Sequence, residues 1–136
     1  MALGFARKLV ADSSVTFESA GLDAAEGVHP TGDAIRAMGE LGVDIRDHRS
    51  RSVQSLPLDR FTHVVAMTPS IADWLSRNLS IPRTAITVWN IHDPYGMGLE
   101  QYRECAKEIS RALSQFISSA LEEIQATASP HQQTKA

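Results

Sequence analysis

A chain of 136 residues with one cysteine has room for a single domain with its own core and no means of closing an intramolecular disulfide. A net charge of −3 and a pI near 5.9 exclude a nucleic-acid or polybasic membrane surface. No apolar run reaches the length of a membrane span, Arg7 and Lys8 follow the first apolar residues instead of preceding them as in a signal peptide, and the lone thiol fits a cytoplasmic protein.

Residues 1–11 read as a helix, with Met1, Phe5 and Leu9 stacking at i, i+4 and Ala2, Ala6 and Val10 beside them. No capping side chain, proline or acidic residue opens it, and an amine at the positive end of the helix dipole is unfavourable. The helix therefore reads as one whose start has been removed. Asp12-Ser13-Ser14 reads as a turn, residues 15–19 alternate as a strand before Ala20-Gly21, and residues 22–31 form a loop. The next helix covers residues 32–41, with Ile35, Met38 and Leu41 inward and Gly42 just past its end. A basic stretch, Arg46 to Arg51, and a helical turn within residues 55–61 follow.

Residues 62–68 are a near-continuous apolar run, as in a parallel strand covered on both faces. Thr68 caps the following helix, Pro69 takes its first position, and Ile71, Trp74 and Leu75 face inward. Residues 85–89 are the last strand. Asp93-Pro94-Tyr95-Gly96 then breaks the chain, with Gly96 and Gly98 allowing a sharp turn. The final helix covers residues 99–125, with Tyr102, Ala106, Ile109, Leu113, Phe116, Ala120 and Ile124 in one apolar stripe. Residues 127–136 read as a disordered tail, which leaves one domain over residues 1–126. Strands alternating with helices give an α/β fold with a mainly parallel sheet.

The five histidines show no zinc spacing, and neither a Gly-x-Ser-x-Gly elbow nor a Gly-x-x-x-x-Gly-Lys loop occurs, so no metal and no cofactor is expected. Cys105, on the edge of the apolar helix face, reads as a half-buried inert thiol. The Arg46–Arg51 stretch is either a phosphate contact or a solvated surface. Asp93 is either a proton donor at the end of a strand or the cap of a turn.

Several segments carry a resemblance when taken in order: Phe17-Glu18-Ser19-Ala20-Gly21-Leu22, the helix ending at Gly42, Val43-Asp44-Ile45-Arg46-Asp47-His48-Arg49-Ser50-Arg51, Val65-Ala66-Met67-Thr68, Asp93-Pro94-Tyr95-Gly96 and Tyr102-Arg103. Together they resemble the low-molecular-weight protein tyrosine phosphatases and the arsenate reductases of the same fold. The resemblance implies an open parallel sheet of about four strands flanked by helices. It also implies hydrolysis of phosphotyrosine, or of a small aryl phosphate, through a phosphocysteine. By it Asp93 is the general acid, Tyr95 a wall of the substrate cleft, and Ser19 and His48 supports of the phosphate loop.

The Cys-x5-Arg loop of that family comes just before the helix that opens here at Met1. It and the strand before it, about a dozen residues, are absent from this sequence. The expectation is a sheet without its first, internal strand, leaving its neighbours unpaired. Such a chain is unstable, aggregated, or completed by a partner chain, and does not hydrolyse aryl phosphates alone. Three readings follow: an active phosphatase of this family whose start is assigned too late at Met1, a non-catalytic interaction protein or remnant, and an arsenate reductase. The last needs a relay of further cysteines, which Cys105 does not provide.

Overall fold

The computed structural model describes residues 1–11 and 14–135, with side chains described through Glu123. Of the turn expected at Asp12-Ser13-Ser14, the first two residues lie outside these residues and Ser14 is in a turn. Helix α1 (Ala2–Leu9) buries Leu3, Phe5 and Ala6 and ends where Val10 turns extended. No side chain caps its start and no acidic residue lies in its first turn. The far end is better held: Lys8 Nζ donates to the carbonyls of Leu41 (3.3 Å) and Gly42 (3.1 Å).

Helix α2 (Gly32–Glu40) starts at a Thr31 cap, whose Oγ1 accepts from the Ala34 amide at 3.2 Å, and buries Ala34, Ala37 and Met38. Gly42 (φ 77°) reverses the chain, a conformation that strains any residue with a Cβ, and lets the Val43 amide reach the Met38 carbonyl at 2.9 Å.

The sheet pairs β1 (Val64–Ala66) with β2 (Ile86–Val88) in parallel, Val65 opposite Thr87. Helix α3 (Pro69–Leu79) connects them. As the sequence indicates, Thr68 caps α3 by accepting from the Ile71 amide at 3.3 Å, with Pro69 in the first turn. Ala72 and Leu75 are its buried positions, while Ile71 and Trp74 pack half-buried against them. The pairing extends past β2, since the Trp89 amide donates to Ala66 (3.1 Å) and the Ile91 amide to Met67 (2.7 Å).

Two expectations need correction. Among the described residues, 15–19 do not form a paired strand, and the bridge given for that region is a parallel one from Gly21 to Ser52. These residues are nonetheless extended, with Val15, Phe17 and Ser19 half-buried and Thr16 and Glu18 exposed. The period-2 pattern is therefore present, but a strand exists only where a second backbone accepts its hydrogen bonds, and β1 lies across an apolar slot. The sheet accordingly has two strands among the described residues.

The second correction concerns the C-terminus. Helix α4 (Leu99–Lys135) continues past residue 125, through most of the segment 127–136 expected to be disordered. Up to Ser129 each added residue extends an existing helix by one hydrogen bond without a new nucleus, whereas Pro130, inside the segment, donates none.

Two cores result. The larger joins α1, α2 and α4 around Met38, which is fully buried, with Phe5, Ile45, Tyr102, Ala106 and Ile109. The smaller joins Val53, Ala66, Ala72, Leu75 and Ile86 around the sheet and α3. The buried part of the α4 stripe stops at Leu113; Phe116 and Ala120, expected inward, are half-buried and line the slot, and the side chain of Ile124 lies outside the described residues.

Candidate active site

The loop after β2 carries Asp93. Asn90 (φ 58°), Gly96 (φ 78°) and Gly98 (φ 93°) turn the chain between Ile91, which is anchored in the larger core, and the start of α4. Pro94 is buried, so the loop is pinned beside the aspartate. Asp93 Oδ1 accepts from the Tyr95 amide at 3.0 Å, an Asx turn that orients the carboxyl group. Among the described residues the other carboxyl oxygen has no partner and is open to solvent. Tyr95 (73% exposed) and Met97 (60%) form an apolar rim beside it.

The amino end of α1 comes to the same end of the molecule. Burial lowers the pKa of the Met1 amine. His48 is half-buried and its imidazole is held below the usual range, first by burial and then by the positive Met1 amine, Arg7 and Arg49. The Cys105 thiol is pushed up to about 11, chiefly by burial, with the Glu108 and Asp93 carboxylates adding to the rise. Cys105 Sγ lies 3.8 Å from the His92 carbonyl, next in sequence to Asp93. Ser19 is half-buried on the wall of the slot. Neither the Ser19 nor the His48 side chain makes a hydrogen bond among the described residues.

Arg103 has a different employment. Its Nε and Nη2 form a fork on the two Glu40 carboxyl oxygens, both at 2.8 Å, and Nη1 bonds Glu100. These bonds raise the Arg103 pKa and lower that of Glu40. Arg103 clamps α4 to the end of α2 and presents no free guanidinium. The Glu100-to-Arg103 spacing on one helix was the signal for half of this cluster; Glu40 is 63 residues away and gave none.

The basic stretch is mostly committed within the protein. Arg46 pairs with Asp44 at 2.8 Å, Arg49 donates to the carbonyls of Arg46 and His48, and Arg51 reaches Glu18 at 3.2 Å. The Arg51 contact ties residues 49–52 to the extended segment, alongside the Gly21–Ser52 bridge.

One literal pattern escaped the sequence reading. Cys105 and Arg111 stand in Cys-x5-Arg spacing. The structure shows why the spacing is chemically empty. Six residues along a helix separate two side chains by about 9 Å of rise and a third of a turn, and the intervening amides are bonded to carbonyls instead of converging on an anion. Cys105 is buried with its Sγ 3.8 Å from the His92 carbonyl, whereas Arg111 is exposed. No group of three metal-ligating side chains occurs among the described residues, nor any helix long and apolar enough to cross a membrane.

Comparison with known proteins agrees with this architecture. The sequence pattern of the family described as low molecular weight phosphotyrosine protein phosphatase matches residues 1–128. Arsenate reductase 2 of Staphylococcus haemolyticus is 32% identical over 118 residues, covering 85% of this chain and 84% of that protein. Glutaredoxin arsenate reductase of Synechocystis is 27% identical over 121 residues, covering 86% and 85%. Among solved structures, a low molecular weight protein tyrosine phosphatase from T. tengcongensis superposes with a TM-score of 0.77 at 28% identity, covering 87% of this chain and 88% of that one. The YwlE arginine phosphatase from Geobacillus stearothermophilus shares the fold with a TM-score of 0.81 at 24% identity, covering 90% and 84%.

Proposed function

The chain belongs to the low molecular weight phosphotyrosine protein phosphatase family, and on that premise we propose that its chemistry is aryl-phosphate hydrolysis with Asp93 as the general acid. The observation that carries this reading is the Asp93 loop. It holds one carboxyl oxygen on the Tyr95 amide and leaves the other open beside an exposed aromatic ring. A carboxylic acid so held protonates a leaving phenolate, and its conjugate base then activates water against a phosphoenzyme. Tyr95 is the wall against which an aromatic leaving group stacks. Ser19 and His48 are the supports of a phosphate loop lying between them and the start of α1. The substrate is a phosphotyrosine protein or a small aryl phosphate, and the single thiol supports a cytoplasmic setting.

Residues 1–136 supply the acid and the frame but no nucleophile. With a pKa near 11 the buried Cys105 holds little thiolate at neutral pH, and no guanidinium converges with it on a common point. The chain as it stands is therefore silent toward aryl phosphates. The test is a pair of proteins, residues 1–136 and the same chain with a strand followed by Cys-x5-Arg fused ahead of Met1. Vanadate-sensitive turnover is expected only in the second, and Asp93→Asn is expected to lower it by about 10²–10⁴-fold. Turnover by residues 1–136 that disappears in Asp93→Asn, or a folded but inactive fusion, overturns the proposal.

A second reading, arsenate reduction, is favoured by the curated relatives. It requires thiols that exchange in sequence, and Cys105 is the sole thiol here and is buried. Arsenate-dependent oxidation of a thiol reductant by the fused protein, without phosphatase activity, would favour it.

A further inference from the structure

A cavity of about 480 Å³ lies between β2 and α4. Thr87, Val88, Gln115, Ser119 and Glu123 line it and do not line the slot, so it is a separate recess. Ala112, Gln115, Phe116, Ser119 and Glu123 recur at the helical spacing that brings them to one face of α4. Three aromatic rings wall the cavity. Phe116 stands edge-to-face with His63, at 5.7 Å between centroids and 85° between planes, and with Trp89, at 6.1 Å and 71°. Trp89 packs against the larger core and Phe116 is half-buried, so both rings are held by the fold while one side of each borders the cavity.

The charge on the wall is negative. Glu123 Oε2 lies 3.3 Å from His63 Nε2, and Thr62 Oγ1 lies 3.0 Å from His63 Nδ1. An imidazole with its proton on Nε2 donates to the carboxylate and accepts from the hydroxyl, so one uncharged ring satisfies both contacts and Glu123 keeps its charge. Among the described residues no Lys or Arg lines the cavity, and an anion is therefore repelled. A bare metal ion finds a single carboxylate and too few oxygen ligands. A primary ammonium is strongly hydrated and loses more on entering than ring faces return, whereas a methylated ammonium spreads its charge over apolar groups that ring faces attract.

We propose that this cavity binds a small quaternary ammonium compound, its methyl groups against Trp89, Phe116 and His63 and its charge facing Glu123. The site contains neither Asp93 nor Tyr95 and does not rest on the phosphatase reading.

The probe is choline chloride, titrated into the isotope-labelled 136-residue chain with sodium chloride as the salt control. The indole N–H of Trp89 is followed by nuclear magnetic resonance and told from that of Trp74 by a Trp74→Phe variant. A saturable shift is expected at the Trp89 indole and at the amides of Gln115 and Ser119, with the Trp74 indole unmoved. The neutral isostere of choline, in which carbon replaces the nitrogen, should bind at least about threefold more weakly. Glu123 is 71% exposed, so Glu123→Gln leaves the fold intact; it should weaken choline at least about threefold and leave the isostere unchanged. The chain carrying a strand and Cys-x5-Arg ahead of Met1 has the same cavity and the same expectation, so aggregation of residues 1–136 does not spare the proposal. Equal binding of choline and its isostere, shifts that avoid Trp89, or no saturable shift in a chain with dispersed amide resonances overturns it. Retention on phosphatidylcholine vesicles without a response to free choline overturns it as well, because the ligand is then a membrane surface.

Discussion

The two edges of β1 differ in what the described residues place against them. Along one edge, Val64, Val65 and Ala66 lie in register with Ile86, Thr87 and Val88, and the pairing runs on to Ile91. Along the other, a second extended segment with the right alternation stands off across an apolar slot. The same contrast appears on α4, whose stripe is buried through Leu113 and then lines the slot from Phe116 onward. Local pattern makes a segment extended or helical; only a partner at the right distance makes it a strand or a core.

The largest effect that would sharpen this contrast is in the closed half. Met38 is fully buried among α1, α2 and α4, so Met38→Ala should cost about 2–5 kcal/mol in urea unfolding. Val65→Ala, on the slot side of β1, should cost well under half of that because its neighbours are already incomplete. Equal losses would break the comparison.

Next is Cys105. With its pKa pushed up to about 11, alkylation of the native chain at neutral pH should be about a hundredfold slower than that of an unfolded control, and should reach the control rate in denaturant. Rapid native alkylation would mean that the core around α4 opens.

His48 sets a pH dependence. Its folded pKa is lowered, so the unfolded chain binds the proton more readily. The stability it contributes is present above the unfolded value of about 6.5 and is lost as pH falls below that toward the folded value. His48→Gln should flatten this acid-side slope in urea midpoints; an unchanged slope would assign it to other groups.

The smallest effects are at the helix ends. Thr68→Ala removes the cap of α3 and should cost about 1 kcal/mol. Arg103→Ala breaks a partly exposed fork and should cost no more than about 1 kcal/mol, by thermal or urea unfolding.

The helices and the two paired strands were legible because each carries its own signal. Thr68 and Pro69 mark a start, Gly42 marks an end, and the apolar run before Thr68 marks a buried strand; the Thr31 cap of α2 was not singled out. Residues 15–19 showed their alternation equally well, but pairing is a property of two segments and was not visible in one. Asp93 was found because Pro94 and the two glycines announce a rigid turn. The Arg103–Glu40 fork was hidden by its 63-residue separation. The extension of α4 beyond residue 125 carries no signal of its own, since residues 127–136 are polar and contain Pro130.

The central claim is that the helical half is closed and the sheet is open along one edge of β1. Native-state amide hydrogen exchange of the 136-residue chain tests it most directly. The account predicts strong protection around Met38 in α2 and Ala106 in α4, and near-unprotected amides in residues 15–20 and at Val65. Protection on both sides of the slot matching that of the helices would contradict it.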